Sequence, residues 1–504
     1  MLMPAPRDPA LSRLAHSLLW PGFAGRTAPD WLRRALDHGL AGVVYFAQNL
    51  DPADPDQPRA LSAEIHGRHP GALIGVDEEG GIVTRLEAAA GSSTPGNAVL
   101  GRLDDIDLTE RVAAWTGRLV ASAGIDVDLA PTVDVNADPR NPVIGVRSFG
   151  ADPDVVARHA AAAVRGIQSA GVAACPKHFP GHGDTVTDSH LAPATADVTL
   201  EQLHAVHLPP FRAAIEAGAK TLMTAHIRVP ALGDAPATLN PTSLRLARDL
   251  GFDGVLITDA VDMAAIRGTV GSGPGAVGAL AAGADLVCIG NPALNPQVGG
   301  ERTDQVEFEE VLHAVYEALR SGALPVARAE EAAARLAELS AWRRDHGDDA
   351  ERPAAFEGAD LVARAATVVG DVRLGSASAT VVDARTKRSV AVGEASDFFT
   401  VALRERMPVE RVSLAGLDAT AAAARAAAVA ADRTGNVVLL VNQPQSSPFE
   451  AAVQDAVLAV RPDAVVVYAG WPAEGDVRAG RAVLALGASR ASAVYVARVL
   501  SGSA

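Results

Sequence analysis

The 504-residue sequence predicts an α/β protein, a (β/α)8 TIM-like barrel followed by a smaller C-terminal α/β layered domain. Three observations carry that expectation. Short apolar runs alternate with longer Ala-, Leu- and Arg-rich stretches of helical period over roughly the first 345 residues. These runs are continuous rather than alternating in polarity, as strands covered on both faces of a parallel sheet are. A charged stretch, Arg343 to Glu351 followed by Pro353, then separates them from a second series of apolar runs.

The expected strands of the first part are Leu18 to Trp20, Gly42 to Phe46, Leu73 to Val76, Val127 to Val135, Ala173 to Lys177, Thr221 to Ala225, Val255 to Thr258 and Asp285 to Ile289. Most are followed by a helical segment such as Asp152 to Ala170 or Leu200 to Ala217. Eight strand-then-helix units point to a closed barrel. Its expected extent is 1–345, with a linker over 346–360 and the second domain over 361–504. In that domain Ala379 to Val382, Val437 to Val441, Ala464 to Val467 and Ala482 to Leu486 read as strands between Ala-rich helices such as Ala419 to Ala431.

Composition narrows the function classes. Hydrophobic residues make up 48% and charged residues 21%, which excludes a disordered chain. Lys+Arg 44 against Asp+Glu 60 gives a net charge of −16, so no nucleic-acid partner is expected. Cys175 and Cys288 are too few for a disulfide framework or a cysteine-rich zinc site, and both lie in apolar segments as buried thiols would. Leu11 to Gly25 is interrupted by Arg13, His16 and Pro21, and no uncharged apolar run approaches the ~20 residues of a membrane helix. The expected location is therefore the cytoplasm, without a membrane partner.

In a parallel barrel the chemistry lies at the carboxyl ends of the strands. The third run ends in Asp77-Glu78-Glu79-Gly80-Gly81, then Arg85; its acids could bind hydroxyl groups, although an acidic turn is more often a solvated loop. After the fifth run comes Lys177-His178-Phe179-Pro180-Gly181-His182-Gly183-Asp184-Thr185, continuing to Asp188-Ser189-His190. A structural loop rarely needs so many groups that titrate near neutrality. Asp188, two residues before His190 in an extended loop, can fix its tautomer, which makes the two a candidate acid/base dyad. The seventh run closes on Asp259, placed for nucleophilic or charge-stabilising work, with helix capping as the competing role. Arg147, after the fourth run, and His226, after the sixth, are hydrogen-bonding groups suited either to a polar substrate or to structure.

Together these motifs resemble glycoside hydrolase family 3 β-N-acetylglucosaminidases, the enzymes of cell-wall recycling and chitin-fragment breakdown. Lys177 through His190 (KHFPGHGDTVTDSH) looks like the signature loop of that family. The likeness extends to Asp77 to Gly81, Arg147 to Gly150, Met223 to His226, Pro236 to Leu239, and Thr258-Asp259 with Met263, in consistent order over roughly residues 10–340. It implies that Asp259 is the nucleophile, that His190 is the acid/base paired with Asp188, and that Asp77, Arg85, Arg147, Lys177 and His178 bind the sugar, with His226 lining the same subsite. The family often has Asp-Gln-Glu where this chain has Asp77-Glu78-Glu79, and basic or polar residues where Ile82 stands.

The implied reaction is a retaining double displacement on a small, GlcNAc-terminated carbohydrate, with no cofactor and no metal. A neutral imidazole, unlike a carboxylate, does not repel an anionic acceptor, so inorganic phosphate could replace water and turn hydrolysis into phosphorolysis. Two further readings compete. A metal-dependent barrel hydrolase would use His178, His182, Asp184 and His190 as ligands, but the histidine pair usual at the first strand of such enzymes is missing near Leu18 to Gly25. A catalytically dead sugar-binding protein would be favoured by loss of Asp259 or His190, and both are present.

Overall fold

The computed structural model describes residues 8–185, 194–292, 304–346, 350–374, 378–385, 397–472 and 477–502. They form an α/β structure. Its strands, in chain order, are β1 (Leu19–Pro21), β2 (Gly42–Tyr45), β3 (Leu73–Val76), β4 (Val127–Asp128), β5 (Ala173–Ala174), β6 (Ala194–Thr195), β7 (Thr221–Met223), β8 (Ile227–Arg228), β9 (Val255–Ile257) and β10 (Val287–Gly290), then β11 (Thr367–Val369), β12 (Ala379–Asp383), β13 (Val409–Ser413), β14 (Asn436–Val441), β15 (Val465–Tyr468) and β16 (Ala482–Leu484). No helix among the described residues is long and apolar enough to cross a membrane.

The chain divides into two compact units that interleave in sequence. The first comprises Met1–Glu78, Ile106–Val135 and Asp152–Ala354; the second comprises Glu79–Asp105, Asn136–Ala151 and Ala355–Ala504. A consecutive division into 1–345 and 361–504 would put 79–105 and 136–151 in the first block. Their contacts lie with the second unit, where Ala98 and Val99 join the apolar core.

Among the described residues of the first unit the strands pair in parallel, an isolated antiparallel bridge Arg228↔Pro236 apart. β2, β3, β4 and β5 lie side by side in chain order, β7 pairs with β9, and β1 pairs with β10. Parallel bridges Phe179↔Thr224 and Ile257↔Leu286 extend the order between these groups. Helices separate the strands, including Gln57–Arg68 before β3, Ile106–Ser122 before β4, Pro153–Gln168 before β5 and Pro241–Asp249 before β9. Such crossovers are what parallel neighbours require.

The interior is tightly filled. The Trp20 ring is fully buried, and its Nε1–H donates to Leu73 O at 2.7 Å. Gly75 on β3 gives it room: a Cβ there would come within 2.3 Å of the ring.

Two buried carboxylates fasten the amino ends of these strands. Asp126, just before β4, accepts from Ile74 N at 2.7 Å and pairs with His66 at 2.9 Å and Arg343 at 2.9 Å. Asp285, before β10, accepts from Leu256 N at 2.9 Å and pairs with Arg248, Arg328 and Arg335. Arg328, Arg335 and Arg343 all belong to the Val326–His346 helix, so that helix is ion-paired to both carboxylates.

The second unit is built on a six-stranded sheet of order β11-β16-β15-β14-β12-β13, parallel except for β11. Alternate residues of its central strands enter separate cores. Val381, Val438, Leu440 and Val467 pack with helices Ala359–Ala365, Phe398–Arg404 and Arg490–Ser501. Val382, Leu439, Val441 and Val466 pack with helices Ala419–Asp432 and Pro448–Val460. The period of two along each strand dictates this division.

Candidate functional site

The polar residues of interest in the first unit all follow the carboxyl ends of strands. Asp77 comes directly after β3, Lys177 and His178 follow β5, His226 follows β7, and Asp259 follows β9. The segment after β9 runs on beside β10, with Val261 N donating to Cys288 O at 3.0 Å and Asp262 N to Ile289 O at 3.2 Å. Close approach makes Gly290 obligatory: its φ is +121°, and a Cβ would meet the Asp262 carboxylate at 2.0 Å.

Lys177 is buried and its Nζ donates to Asp77 Oδ1 at 2.6 Å. The adjoining His178 donates Nδ1–H to Asp134 Oδ2 at 2.7 Å, a bond that fixes the ring's tautomer and leaves Nε2 as the other face. Asp134 is fully buried, and its Oδ1 also accepts the His182 N–H at 2.6 Å and the His178 N–H at 3.2 Å. Burial pushes the Asp134 carboxyl up, but the charge and hydrogen bonds of His178 and His182 outweigh it and hold the group below the usual carboxylate range. His182, whose Nδ1 lies 2.8 Å from Thr185 Oγ1, is lowered to about 4 by burial, against the opposing pull of Asp134. Asp134 was not singled out in the sequence. The signal was there, a charged residue inside the apolar run Val127 to Val135.

Asp259 is half-buried and its Oδ1 accepts the Ala260 N–H at 2.8 Å. Asp259, Asp262 and Asp77 all act on the buried Cys288 thiol, which burial first and these charges next raise well above its ordinary value. Asp259 also acts on His182. Carboxylates that follow two different strands, β3 and β9, therefore act on the same buried thiol. His226 sits on the same side with both ring nitrogens engaged: Nε2–H donates to Ala260 O at 2.8 Å, and Nδ1 lies 2.9 Å from Thr238 Oγ1. Its ring ties the end of β7 to the residue after Asp259.

Arg85 and Arg147 belong to the second unit. Arg147 is buried in a bidentate pair with Glu79, at 2.7 and 2.9 Å, and its carbonyl accepts from Asn97 Nδ2 at 2.7 Å. Glu79, Gly80, Gly81, Asn97 and Arg147 line a small crevice. Arg85 is half-buried, with Nη1 3.5 Å from Thr84 O. The expected dyad, Asp188 and His190, lies outside the described residues. Among the described residues no group of three or more His, Cys, Asp or Glu side chains is disposed to hold a metal ion.

Comparison with known proteins gives these positions a family. The model of the glycosyl hydrolase family 3 N-terminal domain matches residues 25–339. A β-hexosaminidase A from Pseudoalteromonas piscicida is 36% identical over 326 residues, which is 60% of this chain and about half, 53%, of that protein. A β-hexosaminidase from Stenotrophomonas maltophilia (strain K279a) is 38% identical over 296 residues, 57% of this chain and 82% of the relative. Among solved structures, a glycoside hydrolase family 3 β-N-acetylglucosaminidase from Paenibacillus sp. str. FPU-7 superposes with a TM-score of 0.83 at 31% identity, over 98% of this chain and 96% of that one. A family match over more than half of the sequence, together with likeness along nearly its whole length, means that the chain belongs to glycosyl hydrolase family 3.

Proposed function

We propose that this enzyme is a retaining exo-β-N-acetylglucosaminidase that removes terminal β-linked GlcNAc from cell-wall or chitin-type fragments. The observation that carries the reading is that Asp77, Lys177, His178 and Asp259 all follow the carboxyl ends of parallel strands, with Lys177 paired to Asp77 and His178 to Asp134. Support comes from the names of the relatives, β-hexosaminidases and a β-N-acetylglucosaminidase. In this reading the parallel strands of the first unit form a (β/α)8 barrel, and the six-stranded sheet is the core of a separate C-terminal α/β domain.

Asp259, ionised, attacks the anomeric carbon and is displaced in the second step. Its bond from the Ala260 N–H helps to orient the carboxylate for that attack. His226, lining the same subsite, also holds Ala260 O and so steadies the residue after Asp259. Asp77, whose charge is balanced by Lys177, accepts from sugar hydroxyls, and Lys177 and His178 Nε2 supply the complementary polar contacts. His190, oriented by Asp188, protonates the leaving oxygen and then deprotonates the acceptor.

The test is one assay on an aryl β-N-acetylglucosaminide, with and without phosphate. Asp259→Asn is expected to lower kcat by roughly a thousandfold or more. Turnover retained in that variant contradicts the assignment. Phosphate-independent release of free GlcNAc marks a hydrolase, and sugar phosphate as product marks a phosphorylase using the same residues.

A further inference from the structure

A second carboxyl, that of the fully buried Asp128, lies within electrostatic reach of the Asp77–Lys177 pair. Asp77 and Glu78 follow β3, Asp128 ends β4, and Lys177 follows β5. Asp128 has no exposed surface and Glu78 is 1% exposed. Lys177 is already engaged with Asp77 at 2.6 Å. Asp128 receives one hydrogen bond, from Glu78 N–H to Oδ1 at 3.1 Å, while its Oδ2 is buried without a hydrogen-bond partner. The groups that face it are Asp77 and Glu78 from the end of β3, and Lys177 with the Cys175 thiol from the segment after β5. The thiol stays neutral, pushed up to about 12 chiefly by burial. An ionised Asp128 would hold its charge in a dry interior with no donor at Oδ2.

We propose that Asp128 is a positioning residue that carries a proton at neutral pH, a neutral acid whose lack of charge lets Lys177 commit itself to Asp77. The proton resides on Oδ2, the oxygen with no donor. Burial above all, then the Glu78 charge, raises the carboxyl well above its ordinary value, with the Glu78 N–H and Lys177 pulling the other way. Ionisation would offer Lys177 a second carboxylate and draw it from Asp77. Only the activity side of this proposal rests on the sugar-binding reading of Asp77 and Lys177.

The proton has a thermodynamic signature. Unfolded, Asp128 loses it near pH ~3.9, whereas folded it keeps it. The folded state then binds the extra proton above that pH, so this group's contribution to stability falls as pH rises towards its folded value. Asparagine has the shape of the protonated acid and no proton to lose.

The experiment compares the full-length wild type with Asp128→Asn by Tm from about pH 5 to about pH 8, and by kcat/KM at pH ~7. The Tm of the variant relative to wild type is expected to rise steadily with pH. Its kcat/KM should stay within about threefold of wild type, whereas Asp128→Ala, which removes the spacer, should raise KM by about tenfold or more. A Tm difference that is constant, or shrinks, with rising pH overturns the proposal. Should Asp128→Asn not fold, infrared spectra of the wild type decide: a protonated-carboxyl band at neutral pH supports it, and none overturns it. A wild type inert on the sugar would refute the substrate reading while the Tm comparison still reads the proton.

Discussion

Asp134 holds three donors with one carboxylate, and the site's local order follows from that. Two backbone N–H groups and one imidazole converge on it from the His178 to His182 turn, which contains no regular structure of its own. A charged acceptor in a dry setting makes such bonds strong. His182, in the same turn, is neutral at physiological pH because burial strips its cation of water. With its folded value lowered to about 4, the unfolded chain takes up a proton between the ordinary histidine value and that point, while the folded chain does not. Its contribution is present above that window and is lost as pH falls through it. Denaturant titrations at about pH 4.5 and about pH 6.5 should therefore show wild type gaining ~2 kcal/mol more than His182→Gln across the interval. An equal gain in both proteins would contradict the buried, neutral imidazole.

At the scale of elements, short strands are secured by contacts at their ends more than by length. β4 and β5 are each two residues long, and the apolar runs that announce them in the sequence are longer. The difference has a local cause: Pro131 and Pro176 interrupt the runs, and proline has no N–H to give a ladder. Each of the eight apolar runs of the first part nevertheless holds a strand, since continuous burial on both faces leaves a plain sequence mark. In the second unit β12, β14, β15 and β16 were equally legible. β11 and β13 were not, because they are edge strands of mixed, partly exposed residues, Thr367-Val368-Val369 and Val409 to Ser413. Likewise Asp77, Lys177 and Asp259 stood out at the ends of apolar runs, whereas Asp134 and Asp128 were concealed within one. The close fit of Gly75 to Trp20 gives a direct check on packing. Gly75→Ala places a methyl against the ring and should cost roughly 1–3 kcal/mol of unfolding free energy in urea titration. No loss would mean that the Trp20 side chain is free to move.

For the whole molecule, the interleaving of the two units matters most. Residues 79–105 and 136–151, which carry Arg85 and Arg147, are part of the unit that contains the C-terminal sheet. Within that unit the Gln443 and Gln445 amides both donate to Pro139 O, and Arg490 pairs with Glu87 at 3.1 Å. A chain ending at Ala354 would keep both arginine segments and lose these partners, with Ala98 and Val99 stripped of their core. Calorimetry of that truncation should show a Tm lower by about 5 °C or more. An unchanged Tm would show that the two segments stand without the C-terminal sheet.

The proposed chemistry requires that one carboxylate, Asp259, become covalently linked to the sugar during turnover. Incubation with a fluorinated, activated N-acetylglucosaminide, followed by peptic digestion and mass spectrometry, observes that bond directly. One glycosylated peptide is expected, with fragment ions that place the sugar on Asp259. A sugar carried by any other residue, or brisk turnover with no labelled peptide at all, would contradict it.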